Sequence, residues 1–182
     1  MDDALGTQRF GRIDILVNNA AVYGGLKLTP FEQIPEAEWD RVMAVNVKGP
    51  FLCSRAAAPS LRRAGGAIVN VSSVAGMFAT GSSLPYGVSK AALTQLTRAL
   101  ALALAPAVRV NGVAPGVVAS PWFGHLLGDE RAKDVFETAK AATPLGRTLE
   151  PTDVSQIVLA LLTADAVTGE TVVIDGGRAI TY

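Results

Sequence analysis

The sequence predicts an α/β fold, a doubly wound parallel sheet with helices on both faces. Two observations carry this. The Val- and Ile-rich runs Ile13 to Val17, Ala67 to Val71, Val108 to Val113 and Thr171 to Ile174 do not alternate apolar with polar residues, which is how strands covered on both faces read. Between them lie longer stretches with apolar residues at helical spacing. Strands alternating with helices require right-handed crossovers and a parallel sheet. No repeat, low-complexity segment or linker divides the 182 residues, so residues 1–182 read as one domain with about four strands.

Each helix follows from its apolar face. Trp39, Val42, Met43 and Val47 mark a helix from Pro35 to Leu61. Asn46 is disfavoured inside it, and Pro50 has no N–H for the Asn46 carbonyl, so a bend is expected there, with a free acceptor that could hold a water. Leu93, Leu96 and Leu100 mark a second helix from Ser83 to Ala105, with Pro85 in its first turn. Its end, from Ala99, is apolar on every side, so it belongs in the core or against another subunit. Val154, Ile157, Val158, Leu161 and Leu162 mark a third, opened by Pro151.

Apolar residues make up 49% and charged residues 18%, the balance of a packed interior rather than a disordered chain. Sixteen Lys and Arg against sixteen Asp and Glu leave no basic excess for a nucleic acid or an anionic membrane. No apolar run spans a bilayer, and the single Cys53 excludes an internal disulfide. A soluble, cytoplasmic protein is expected. His125 is the only histidine and stands without metal-ligand spacing, so no metal site is expected.

Tyr86 and Lys90 form a Y-x-x-x-K pair, which a helix places on one face, one turn apart. A free phenol has a pKa near ~10 and is a poor base at neutral pH. A neighbouring ammonium favours the phenolate and makes proton exchange with a substrate hydroxyl feasible. Alone, such a pair is more often just a solvated helix face. It gains weight from Ser73, which follows a strand end thirteen positions before Tyr86. In doubly wound folds, reactive groups gather beyond the carboxyl ends of the strands. A serine there is otherwise a helix cap or turn former.

Taken together, Asn18-Asn19-Ala20-Ala21, Asn46, Ser73, Tyr86 with Lys90, Pro115-Gly116 and Asp175-Gly176-Gly177 resemble the classical short-chain dehydrogenases/reductases in order and spacing, over essentially the whole chain. The resemblance implies a Rossmann-like fold and hydride transfer between NAD or NADP and an alcohol or carbonyl carbon. It implies that Tyr86 is the general acid/base and that Lys90 lowers its pKa and holds the nicotinamide ribose. Ser73 would then bond the substrate oxygen, and Asn46 would anchor the water of a proton relay. By the same resemblance Asn18 and Ala20 contact the adenosine side. Pro115, Gly116, Val118 and Ser120 contact the nicotinamide, and Trp122, Phe123, His125 and Leu126 fall in a mobile substrate lid. Dimers or tetramers are usual in the family, so a homo-oligomer is expected.

The departures concern the front and the details. Ala21 stands where the family has glycine, and Ser120 where it has threonine. The Leu104-to-Val108 connection is short. No glycine-rich strand-to-helix turn of the kind that cradles a pyrophosphate occurs, and the pairs Gly24-Gly25, Gly65-Gly66 and Gly176-Gly177 lack its spacing. The expectation is an incomplete sheet that lacks the first strands, the phosphate turn and the residue that selects NAD or NADP, with the strand Ile13 to Val17 open at one edge. Two other readings follow: an inactive remnant acting as a structural or interaction module, and a hydrolase with Ser73 as nucleophile. No G-x-S-x-G elbow surrounds Ser73, which weighs against the hydrolase.

Overall fold

The computed structural model describes residues 9–24, 29–79 and 82–181. Gly25 and the side chain of Leu126, both named above, lie outside the described residues. Four parallel strands, β1 (Ile15–Asn18), β2 (Ala67–Val71), β3 (Arg109–Pro115) and β4 (Thr171–Ile174), form one sheet in the order β1-β2-β3-β4. Asn18 stands opposite Asn70, Asn70 opposite Gly112, and Gly112 opposite Thr171. β1 and β3 run on past their apolar stretches, through Asn18 and Pro115, because the ladder pairs backbone groups and not side chains.

The sheet is covered on both faces, as predicted. Ile68 and Val110 pack with Ala57, Leu61, Ala101 and Leu104 on one side. Val69 and Val113 pack with Leu161 on the other, flanked by Val154, Ile157 and Val158. Successive side chains of a strand point to opposite faces, so this alternation gives three layers. β1 is the exception. Leu16 packs inward against the first cluster, whereas Ile15 is 51% and Val17 40% exposed on the opposite face, at an edge of the described sheet.

The predicted helix from Pro35 to Leu61 is present as α1 (Glu36–Met43), a π-turn over Ala44–Lys48 and α2 (Gly49–Ala64). The irregularity falls where Pro50 removes a donor: the Gly49 N–H reaches back five residues to the Ala44 carbonyl. α3 (Leu84–Leu104) carries Pro85 in its first turn. Its buried stripe is Leu93, Thr94, Thr97, Ala101 and Leu104, while Leu96 and Leu100 are half-buried. The stripe is therefore rotated from the expected one. Thr94 and Thr97 tolerate burial because each hydroxyl donates to the carbonyl four residues back, both at 3.0 Å. The apolar end of α3 is not enclosed by its own chain, since Leu102 is 84% exposed.

Two further helices, α4 (Pro121–Leu127) and α5 (Asp129–Ala141), occupy the region expected to be a lid. α5 buries Ala132 and Ala139 and half-buries Val135 and Phe136 on the same face. α6 (Pro151–Thr163) opens with a reciprocal cap between Glu150 and Asp153. No helix among the described residues is long and apolar enough to cross a membrane.

Candidate active site

β2 ends in two serines that point to different places. Ser72 is buried; its hydroxyl donates to the Lys90 carbonyl at 2.9 Å and lies 2.8 Å from the Thr94 hydroxyl. Ser73 turns outward, accepts the Ala75 N–H at 3.2 Å and hydrogen-bonds the Tyr86 hydroxyl. The meeting depends on a close approach of backbones. The turn Val74–Gly76 lies against α3 so tightly that a Cβ on Gly76 would fall 2.5 Å from the Lys90 carbonyl carbon and 2.6 Å from the Ala91 nitrogen. Only glycine permits this contact. Ser73 and Tyr86, thirteen positions apart in the sequence, are thereby brought side by side.

Tyr86 and Lys90 share the first turns of α3, with the Lys90 Nζ 5.5 Å from the Tyr86 ring centroid. Burial pushes the Tyr86 phenol up to about 12; the Ser73 hydrogen bond works against this and nearby Tyr23 adds to it. Burial also lowers Lys90 to about 8, and its Nζ donates to the Val71 carbonyl at 2.7 Å. The expected lowering of the phenol by the ammonium is not what this arrangement gives. Burial dominates both groups, so near pH 7 the phenol holds its proton and Lys90 is mostly charged.

Asn46 lies within the π-turn and is fully buried. Its side chain is wholly engaged. Oδ1 accepts the Val22 N–H at 2.8 Å, while Nδ2 donates to the Val22 carbonyl at 2.8 Å and to Ser89 Oγ at 3.0 Å. Ser89 in turn donates to the Tyr86 carbonyl at 2.7 Å. Asn46 thus ties the loop after β1 to the turn that carries Tyr86, and only its main chain remains for a water.

The residues expected near a nicotinamide lie beyond β3. Val117 and Ala119 exchange backbone bonds with Leu149, so the N–H and C=O of Val118 face the opposite way. Gly116 packs against Asp175, whose Cβ would be 3.1 Å from a Cβ at Gly116. Ser120 precedes α4 without its side chain capping that helix. Pro115 is buried at the strand end. These groups, with the Lys90 ammonium, fit the nicotinamide end of a dinucleotide: an outward-facing main-chain donor and acceptor, a hydroxyl and a cation. On the adenosine side the fit is partial. Ala20 is exposed, but the Asn18 Nδ2 is spent inward on Ser54 (3.3 Å) and Asn70 (2.7 Å), leaving its Oδ1 and its backbone to meet a ligand.

The lid residues join the site through rings. Trp122 lies edge-on to Phe123 at 5.3 Å, and Phe123 edge-on to Phe136 at 5.5 Å. Tyr23, which no sequence signal singled out, bridges them to Tyr86, 4.8 Å from the Tyr86 ring and 5.7 Å from Trp122. A lone aromatic in a loop has no periodicity to reveal it. His125 is exposed on α4. Among the described residues, no group of three His, Cys, Asp or Glu could hold a metal ion. The Asp175 carboxylate accepts the Gly177 and Ala179 N–H groups, so the Asp-Gly-Gly turn braces its own loop.

Comparison with known proteins bears on this arrangement. A family profile described as enoyl-(acyl carrier protein) reductase matches residues 4–179. The chain is 41% identical over 173 residues to a cyclopentanol dehydrogenase of a Comamonas strain, covering 91% of this chain and 66% of that protein. It is 39% identical over 177 residues to a 3-oxoacyl-acyl-carrier-protein reductase of Thermotoga maritima, covering 95% and 69%. The structure of acetoin dehydrogenase from Enterobacter cloacae superposes with a TM-score of 0.81 at 33% identity, over 97% of this chain and 68% of that one. The chain thus spans about two thirds of the length of these relatives. A parallel sheet wrapped by helices, a serine, tyrosine and lysine meeting beyond its strand ends, and these likenesses together lead to one conclusion: the chain belongs to the classical short-chain dehydrogenase/reductase family.

Proposed function

We propose that residues 1–182 form the C-terminal catalytic part of a single Rossmann-type domain, in an NAD(P)-dependent oxidoreductase acting on an alcohol or carbonyl substrate. The observation that carries this is the meeting of Ser73 and Lys90 at Tyr86. A bound nicotinamide supplies or accepts the hydride at its C4. In the reducing direction the Ser73 and Tyr86 hydroxyls hold the carbonyl oxygen. Tyr86, protonated near neutral pH, would give its proton to that oxygen as C=O is reduced to CH–OH. The Lys90 ammonium, one turn away, steadies the phenolate left behind. The Asn46 main chain is the group available to hold the water that returns a proton to Tyr86.

Val118, Ser120, Gly116 and Pro115 would hold the nicotinamide, with Ala20 and the Asn18 backbone toward the adenosine. Trp122 and Phe123 are proposed substrate contacts. The relatives named for cyclopentanol and for oxoacyl groups support a carbonyl or alcohol substrate without choosing between those two shapes. Self-association as a dimer or tetramer is supported by the exposed apolar end of α3. A cytoplasmic location is supported by the lone thiol and balanced charge.

A second reading, an interaction module without turnover, draws on the exposed Ile15 and Val17 of β1. One experiment separates the two. In the protein expressed from its full reading frame, Tyr86→Phe is expected to cut NAD(P)H-linked carbonyl reduction at least ~100-fold while nucleotide binding persists. Unchanged turnover would remove Tyr86 from the chemistry, and a parent protein that binds no nucleotide would favour the module.

A further inference from the structure

We propose that Tyr23 is the residue that sets substrate preference at this site, and that the class it selects is a flat, uncharged, ring-bearing ketone or secondary alcohol. The inference rests on the oxidoreductase reading above and adds a residue and a substrate class to it.

Tyr23 is held in place by its backbone. The residue before it, Val22, is bonded at both N–H and C=O by the Asn46 side chain. The Tyr23 carbonyl accepts the Ser83 hydroxyl at 2.6 Å. The residue after it, Gly24, takes φ +65, and a Cβ there would lie 2.8 Å from Val42 Cγ2. Three consecutive residues are thus fixed by α1, the π-turn and the start of α3. Such fixing presents a side chain without further loss of entropy when a ligand arrives.

The ring so presented is only half-buried, which a core-filling aromatic would not be. It leans on the reactive phenol, with ring planes 33° apart, and meets Trp122 of the lid edge-on. A carbonyl oxygen seated on the Ser73 and Tyr86 hydroxyls therefore brings its attached carbons against Tyr23 and Trp122. Neither ring carries a charge, so this wall offers no counter-charge to a phosphate or carboxylate. A flat ring gains more from an aromatic wall than a flexible chain does, because it freezes fewer rotors for the same covered area.

The test compares kcat/KM for cyclic ketones with that for linear ketones of equal carbon number, using the protein from its full reading frame. The parent protein is expected to prefer the cyclic series. Tyr23→Ala should lower the cyclic-to-linear ratio about five- to tenfold, the scale of one aromatic contact, chiefly through KM. Tyr23→Phe should restore the ratio, since the hydrogen bonds that fix this residue all engage its main chain. Tyr23→Leu keeps bulk without a flat face and serves if the alanine variant does not fold; it too should lose the preference. An unchanged ratio in a folded alanine or leucine variant overturns the proposal, as does a parent protein that prefers linear chains. Failure of the underlying reading looks different: no ketone of either series is turned over, and Tyr86→Phe matches the parent.

Discussion

Tyr86 and Lys90 are both driven toward their neutral forms by the same burial, yet near pH 7 one remains neutral and the other mostly charged. The consequence for stability can be measured. Lys90 titrates near 8 when folded, below the 10.5 of an exposed lysine, so below pH 8 it is charged in both states and its burial is a constant cost. Between pH 8 and 10 the unfolded chain binds more protons than the folded one, and stability rises with pH. The depression is worth about 2–3 kcal/mol over that window. Above pH 10 the Tyr86 phenol, raised to about 12, reverses the trend, because the folded state now holds the extra proton. Denaturant unfolding across pH 8–10 should therefore show a rise in the parent protein that Lys90→Met removes. Equal slopes in both would mean that Lys90 is better solvated than its surroundings indicate.

At the scale of elements, the site is made where a strand end, a short turn and a helix are forced together. The Val74–Gly76 turn seats Ser73 over Tyr86 only because Gly76 has no side chain to meet the backbone of α3. Gly76→Ala is expected to destabilise the fold by about 1–3 kcal/mol, the usual effect of overpacking, and to lower carbonyl reduction by moving Ser73 from the phenol. Thermal unfolding and steady-state rates would check both, and an alanine variant with parental rates would show that the turn can shift without consequence. The same logic governs the Asn46 π-turn. Pro50 disturbs the helix ladder, and the displaced Asn46 side chain becomes a staple between the loop after β1 and the Tyr86 turn.

For the whole molecule, three layers bury the centre of the sheet but leave apolar side chains in water, two groups of which bear on association. One is the β1 face of Ile15 and Val17; the other is the end of α3, where Leu102 is 84% exposed. Exposed apolar surface on helices favours contact with another copy. Leu102→Asp is expected to shift the protein toward monomer in sedimentation while leaving its helical content intact. An unchanged sedimentation coefficient would place the subunit contact elsewhere.

Much of this architecture was legible from local pattern. The four strands, the Pro35 and Pro151 helix starts and the irregularity at Asn46 follow from apolar period and from what proline removes, properties of adjacent residues. So does the placing of Tyr86 and Lys90 one turn apart. The helices α4 and α5 were not read, although Ala132, Val135, Phe136 and Ala139 recur at helical spacing, and the stripe of α3 was misplaced because Thr94 and Thr97 bury hydroxyls that their own helix satisfies. By itself, then, the sequence determined the α/β class and singled out Ser73, Tyr86 and Lys90 as the candidate site. Only the tertiary structure decided that Ser73 and not Ser72 meets Tyr86, that the Asn46 side chain is spent on Val22 and Ser89, and that Tyr23 stands beside the phenol. Those outcomes depend on close packing between segments far apart in the chain, and no periodicity within a segment encodes which neighbour it will meet.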